Sequence, residues 1–373
     1  MSLVQDRIFL SFAWFFAKHT RHPTPGVHPS HLGLFRNSGL TLHKIFINNN
    51  CYKIPYVKEI IMASILVISD THFGLNSSTL TNHKQVDCLI WEIWRYGKGC
   101  GEIVLLGDIF DLWRARPESA LRDSRYLFER LSDLDVKISY VVGNHDHHLA
   151  VMSQEMDFLG RVARGDIYSV YTPNLNWNQT LDGLNVDMYY PIYKVSCFQR
   201  NYLFTHGHHL KGVQAFSIQL VEQLRKLSGE EISPADLEMM MAYAYEGMYR
   251  SSYIGEMVEF EQKLWKVSCI FNKMNNGILR KYAPVERQYD TILAFLRDQR
   301  VGKVDCFVYG DTHKAGIYRR DGGPMAVNSG SLVRERRNGN TEELPDTYVV
   351  IDDDCVAVRQ LGRQEPLFTR DYC

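Results

Sequence analysis

Five apolar runs in this 373-residue chain each end in residues that bind metals. Ile65-Leu66-Val67-Ile68 leads into Ser69-Asp70-Thr71-His72, and Val104-Leu105-Leu106 into Gly107-Asp108-Ile109-Phe110-Asp111. Tyr140-Val141-Val142 leads into Gly143-Asn144-His145-Asp146, Tyr202-Leu203-Phe204 into Thr205-His206-Gly207-His208, and Cys306-Phe307-Val308-Tyr309 into Gly310-Asp311-Thr312-His313. Carboxylate, imidazole and amide oxygen suit hard and borderline divalent cations. Asp70 and His72, two apart in extended chain, point to one side and can share an ion. Asp108 follows a glycine that permits a tight turn, and its carboxylate can bridge two ions. Asn144 offers an amide oxygen, and His206 and His313 offer imidazoles. Two ions about 3.5–4 Å apart would activate a bridging hydroxide and clamp a phosphoryl group.

The elements that must position these residues follow from the spacing. In open α/β sheets, sites form beyond the carboxyl ends of strands. After His72, Asn82 is a helix N-cap with Gln85 at the third helical position, and Val86, Leu89, Ile90, Ile93 and Trp94 continue at helical spacing. A strand over 102–106, a helix over 119–131 and a strand over 137–142 complete a β-α-β-α-β order, which implies a parallel sheet with right-handed crossovers. From 166 to 203 the pattern is strands, and Asp182-Gly183 marks a hairpin turn.

Residues 211–298 read as helices that interrupt the α/β core as an insertion or lid. Ser233-Pro234 starts one of them, and the stretch is rich in Met and Tyr (Met239, Met240, Met241, Met248, Tyr243, Tyr245, Tyr249). Such a face is either ordinary helical core or an adaptable surface for a greasy substrate. The core resumes over 299–362, and 363–373 is a tail.

Residues 1–61 stand apart as an extension: Asp6 and Glu59 are their only acids, against seven Lys or Arg. These residues are expected to be a start-site artefact with the native chain beginning at Met62, a poorly ordered extension, or a membrane-associating or targeting segment; Met62-Ala63-Ser64 leading straight into the first strand favours the first. The apolar stretch from Ile8 to Ala17 is shorter than the ~20 residues a membrane span needs. The formal net charge of −1 gives no electrostatic case for nucleic acid or an anionic membrane. The eight cysteines form no CxxC pair, which fits reduced structural thiols and a cytoplasmic protein.

Taken in order, these motifs resemble the five motifs of the calcineurin-like metallophosphoesterases. The resemblance runs from about Ser64 to Leu361, apart from the helical insertion. It implies a layered α/β fold, a β-sandwich of mixed sheets flanked by helices. It further implies that Asp70, His72 and His313 hold one cation, Asn144 and His206 a second, and that Asp108 bridges them. His145 would protonate the leaving group or bind the phosphoryl oxygen, and Asp111 would orient His145. His208 would contact metal or phosphate, and Arg114 would bind substrate phosphate or be a solvated surface charge. Arg116 shares that choice.

The family's last motif commonly reads Gly-His-x-His; here Asp311 stands at its first histidine, either as a ligand of the second metal or as a turn-capping aspartate with water completing the metal. Asp311 as a ligand would favour harder ions, so two Mn²⁺ are expected, with Mg²⁺, Fe²⁺ and Zn²⁺ as alternatives. His147, His148 and His209 read as neighbours in polar loops, and Trp113 as core. Residues 107–113, the His206-Gly207-His208 element and the insertion look most similar to the UDP-2,3-diacylglucosamine pyrophosphatase branch, whose members often carry arginine where His145 stands. That branch implies a small phosphoester or pyrophosphate substrate, nucleotide-linked or lipid-like, with peripheral membrane contact through it. The motifs around Asp70 and Asn144 also resemble DNA-repair nucleases, a cyclic-nucleotide phosphodiesterase is a further alternative, and a non-catalytic scaffold on the same fold is the reading from another class.

Overall fold

The computed structural model describes residues 64–96, 100–165, 175–210, 242–243, 246–247, 284–298, 301–334 and 345–372. The extension over 1–61, the helix start at Ser233-Pro234 and nearly all of the Met- and Tyr-rich stretch lie outside them.

Two mixed sheets form the centre. Strands β1 (Ile65–Ile68), β2 (Glu102–Leu106) and β3 (Lys137–Val141) are parallel neighbours. The hairpin β4 (Leu175–Leu181) and β5 (Leu184–Tyr190) extends their sheet on one side. On the other side lie β11 (Thr347–Ile351), β12 (Cys355–Gln360) and β13 (Phe368–Asp371), giving the order β13-β12-β11-β1-β2-β3-β5-β4. The residues read as a tail thus contain an edge strand. The second sheet has the order β6-β7-β8-β10-β9, built from Ile192–Cys197, Arg200–Thr205, Cys306–Tyr309, Met325–Asn328 and Gly316–Arg319. In it β7 and β8 run parallel.

Side-chain alternation explains how the sheets stack. Ile65, Val67, Val104, Leu106 and Val141 join Tyr202, Phe204, Cys306, Val308, Met325 and Val327 in one buried cluster, the seam between the sheets. Leu66, Ile68, Ile103, Leu105 and Tyr140 point the other way. They meet Val86, Leu89 and Ile93 of α1 (His83–Tyr96) and Leu127, Phe128 and Leu131 of α2 (Pro117–Ser132). Leu203, Phe307, Tyr309 and Ala326 receive Val285, Tyr289, Ile292 and Phe295 of α4 (Pro284–Asp298). Helix α4, inside the stretch read as an insertion, therefore packs on the second sheet. Each fully buried aliphatic or Phe side chain in these layers stabilises the fold by roughly 1.5–3 kcal/mol.

Local expectations meet the structure at several points. Asn82 Oδ1 accepts from the Lys84 amide at 3.0 Å, the side-chain cap expected at the start of α1. Asp182 and Gly183 both have positive φ, 46° and 87°, as a two-residue type I′ hairpin requires. Helix α3 (His148–Ala163) was not anticipated. The described cysteines are free thiols. No helix among the described residues is long and apolar enough to cross a membrane.

Candidate dinuclear metal centre

The loops that leave β1, β2, β3, β7 and β8 touch one another. The Asp70 amide donates to the Gly107 carbonyl at 3.1 Å, and the Gly310 amide to the His206 carbonyl at 2.8 Å. The Asp311 amide donates to the Asp70 carboxylate at 3.1 Å, which joins the two sheets through a side chain. Asp70, His72, Asp108, Asp311 and His313 all take φ between 47° and 63°. Non-glycine residues rarely adopt this left-handed region, and Asp and His do so more readily than most.

The donor atoms converge in two overlapping groups. Asp70, His72 and His313 form one, and Asp70, Asp108 and His206 the other, with the ligand atoms in each group within 4.8 Å of one another. His313 Nε2 lies 3.2 Å from Asp70 Oδ1, and His72 Nε2 3.3 Å from His313 Nε2. Asp108 Oδ2 lies 3.1 Å from His206 Nε2 and 3.7 Å from His72 Nε2, so one oxygen faces both groups. Its other oxygen accepts from the His145 amide at 2.8 Å. Asp311 Oδ1 stands 3.9 Å from His206 Nε2. The His208 ring is 5.7 Å from that of His206 and belongs to neither group.

Two glycines make room for this. A Cβ on Gly107 would come within 2.5 Å of His206 Nδ1, and one on Gly310 within 2.5 Å of Asp70 Oδ2.

Imidazoles that bind metals through one nitrogen are usually oriented by a hydrogen bond at the other. His206 Nδ1 lies 3.0 Å from the Leu106 carbonyl, and His72 Nδ1 lies 2.9 Å from Asp111 Oδ2. The same Asp111 oxygen is 3.2 Å from His145 Nδ1 and also accepts from Arg114. Asp111 is thus placed to orient His72 as well as His145, a second role that reading the motif alone did not supply. Arg114 is drawn onto Asp111, with its side chain one-third exposed at the edge of the site. Trp113 is buried and stacks on His145 with ring centroids 4.6 Å apart.

Asp146 was also missed as a structural part of the site. Its carboxylate accepts from the Ile109 amide at 2.9 Å and from the Tyr140 hydroxyl at 2.5 Å, which ties the β2 and β3 loops together. The one signal for it was its place beside Asn144 and His145. His147 and His148, read as neighbours in a polar loop, are instead 1% and 8% exposed. The chain turns into α3 at that point, and the two rings stack on each other with centroids 4.4 Å apart.

Charge at the site is concentrated and paired. Burial alone would raise the Asp108 carboxyl, but His206, His145 and His72 hold it well below the usual carboxylate range. Burial pulls His206 down, but Asp108 outweighs it, and His206 is pushed up to about 10. His145 is likewise raised against burial, by Asp108 and Asp111. Burial raises Asp146 to about 6, with Asp108 adding to it.

The residues fit a pair of divalent cations. Asn144 Oδ1 is buried and accepts no hydrogen bond, an unusual state for an amide oxygen unless an electrophile completes it. The donor set of carboxylates, imidazoles and one amide suits hard to borderline ions.

A family-wide sequence profile, Calcineurin-like phosphoesterase, matches residues 63–315. The chain belongs to that family. The family works with two divalent cations, and this phosphoesterase-family chain carries candidate ligand clusters for them. Among solved structures, a dimetal phosphatase from Danio rerio is similar at 14% identity, with 84% of this chain and 99% of that chain covered and a TM-score of 0.40. Vps29 from Chaetomium thermophilum is similar at 12% identity, covering 81% and 88%, with a TM-score of 0.34. A cold-active protein-tyrosine phosphatase from a psychrophilic Shewanella is similar at 14% identity, covering 82% and 81%, with a TM-score of 0.32. No curated protein matches the chain.

Proposed function

We propose that this calcineurin-like phosphoesterase hydrolyses a phosphate ester or pyrophosphate bond with two divalent cations. Asp70, His72 and His313 would hold one cation, Asn144, His206 and Asp311 the other, and Asp108 would be shared. The observation that carries this reading is the single Asp108 oxygen facing His72 on one side and His206 on the other. When bound, the cations would supply a nucleophile from water at neutral pH and neutralise charge on the phosphoryl group.

The chain's own residues do the rest. Asp111 and the Leu106 carbonyl fix the rings of His72 and His206, so each directs Nε2 into the site. His145 has a side chain 15% exposed at the opening of the site, and its raised pKa favours the protonated form near neutrality. It is therefore placed to donate a proton from its ring to the departing oxygen. Trp113 and Asp111 hold that ring from its face and its edge. His208 and Arg114 stand at the margin, where a second phosphate or a leaving group would lie.

Asp311 in place of the family's histidine supports Mn²⁺ over softer ions. The sequence over 107–113 and the His206-Gly207-His208 element support a substrate like that of the UDP-2,3-diacylglucosamine pyrophosphatases, a nucleotide-linked pyrophosphate with a lipid-like part. His145 supports a wider range, because that branch often has arginine there.

The test is hydrolysis by the Mn²⁺-reconstituted protein of bis-p-nitrophenyl phosphate, p-nitrophenyl phosphate, a UDP-sugar pyrophosphate and DNA ends, side by side. Turnover of a small phosphoester or pyrophosphate, abolished in Asp108→Asn, is expected. A metal-replete protein inert on the whole panel would overturn the reading in favour of a scaffold.

A further inference from the structure

A second group of metal-ligand side chains lies outside the dinuclear centre. His147 and His148 stack with ring centroids 4.4 Å apart, and Glu246, from the stretch read as an insertion, reaches both. Glu246 Oε2 lies 3.4 Å from His147 Nε2 and contacts His148 Nδ1. All three residues are buried, and their donor atoms lie within 4.8 Å of one another.

We propose that His147, His148 and Glu246 form a separate binding site for a single borderline divalent cation of the Zn²⁺ class, which fastens the Glu246 segment to the loop carrying Asn144 and His145.

The donor set is the first argument. Two imidazoles and one carboxylate are a recurrent protein donor set for zinc. The second is spacing. With Zn–N and Zn–O bonds of about 2.0–2.2 Å, two ligands at a tetrahedral angle sit about 3.4 Å apart. His147 Nε2 and Glu246 Oε2 stand at that separation, whereas His148 Nδ1 and Glu246 Oε2 are in closer contact and would part to take an ion between them.

The third argument is the shell behind the ligands. His147 Nδ1 lies 2.8 Å from the Asn144 carbonyl oxygen and 3.0 Å from Trp113 Nε1. One nitrogen cannot serve both. A protonated Nδ1 donates to the Asn144 carbonyl and leaves the Nε2 lone pair directed at Glu246, the usual state of a ligating histidine. An unprotonated Nδ1 accepts from Trp113, and Nε2 then donates its proton to Glu246. The first tautomer belongs to the cation-bound site and the second to a plain hydrogen-bonded clamp.

This cation would differ in preference from the dinuclear pair. Its site has one carboxylate, whereas the other has several, so it selects the softer ion.

The test is metal content of the untagged full chain, stripped with chelator, reconstituted with Zn²⁺, gel-filtered and measured by mass spectrometry. Three equivalents per chain are expected in the wild type, and two in Glu246→Gln and in His148→Ala. Cobalt substitution gives a second reading. The intense visible bands of tetrahedral Co²⁺ should persist in Asp108→Asn and vanish in Glu246→Gln. No equivalent retained in Asp108→Asn overturns the site, as does a full wild-type count retained in both Glu246→Gln and His148→Ala. The Asp108→Asn count decides even if the Glu246 and His148 variants fail to fold. Because Asp108→Asn disables only the dinuclear centre, failure of that centre and failure of this site are told apart.

Discussion

His206 turns Nδ1 to the Leu106 carbonyl at 3.0 Å, and this contact leaves its Nε2 3.1 Å from Asp108. Leu106 is the last residue of β2, and Asp108 follows it by two positions. The strand that delivers the Asp108 carboxylate therefore also aims the imidazole of another strand at it.

One consequence is proton-linked metal uptake. His206 carries a proton in the metal-free protein, since its pKa is pushed up to about 10. Binding a cation at Nε2 must release that proton. Apparent affinity should rise about tenfold per pH unit between pH 7 and 9 from this group alone. Calorimetric titration in buffers of different ionisation enthalpy would count the proton, and His206→Gln should remove it. The same shift sets a stability trend. A folded pKa above the unfolded value of about 6.5 adds stability that is full below pH 6.5 and lost as pH rises through about 10. The melting temperature of the metal-free protein should fall over that window, and less steeply in His206→Gln.

Asp108→Asn should lose the most. A cation pair contributes several kcal/mol to transition-state stabilisation, and each 1.36 kcal/mol is tenfold in rate. A fall in kcat of about 10³-fold or more is expected, together with loss of bound metal. Retention in this variant of as many cations as the wild type binds would contradict the shared role of Asp108.

His145→Gln should lose about 10²–10⁴-fold on a substrate with a poor leaving group. With p-nitrophenolate as leaving group the loss should be much smaller, because that group departs without a proton. The wild-type rate should also fall as pH rises through the raised pKa of His145, and the variant should lack that limb. Equal losses on both substrates would deny His145 the role of acid.

Gly310→Ala tests the close approach of backbone to ligand. Its Cβ would meet Asp70 Oδ2 at 2.5 Å and Ser69 Oγ at 2.8 Å. Overpacking of this kind costs about 1–3 kcal/mol. We expect a folded protein whose metal affinity falls about 10–100-fold, read by titration with Mn²⁺.

Much of the site was legible because parallel buried strands announce themselves as apolar runs, and the turn after each is short. The β-α-β-α-β order and the Asp182-Gly183 hairpin followed from periodicity and turn chemistry. Partition into two sheets did not, since a run such as Cys306–Tyr309 carries no mark of the strand it pairs with. Helix α3 was missed for a physical reason. Its start, His147, makes no side-chain cap, and Met156, Phe158 and Leu159 are exposed, so its apolar residues trace no single buried face. The doubled use of Asp111 was hidden because His72, its second partner, is 39 positions away.

The left-handed backbone at Asp311, with φ of 63°, bears on how this site can diversify. Aspartate, asparagine and histidine are the side chains that tolerate this conformation best, apart from glycine. They are also metal ligands. An exchange of histidine for aspartate at this corner changes the hardness of the donor while leaving the main chain where it was. With Asp311 ligating as proposed, the backbone defines a short alphabet of interchangeable side chains, and metal preference can drift within it without refolding the loop.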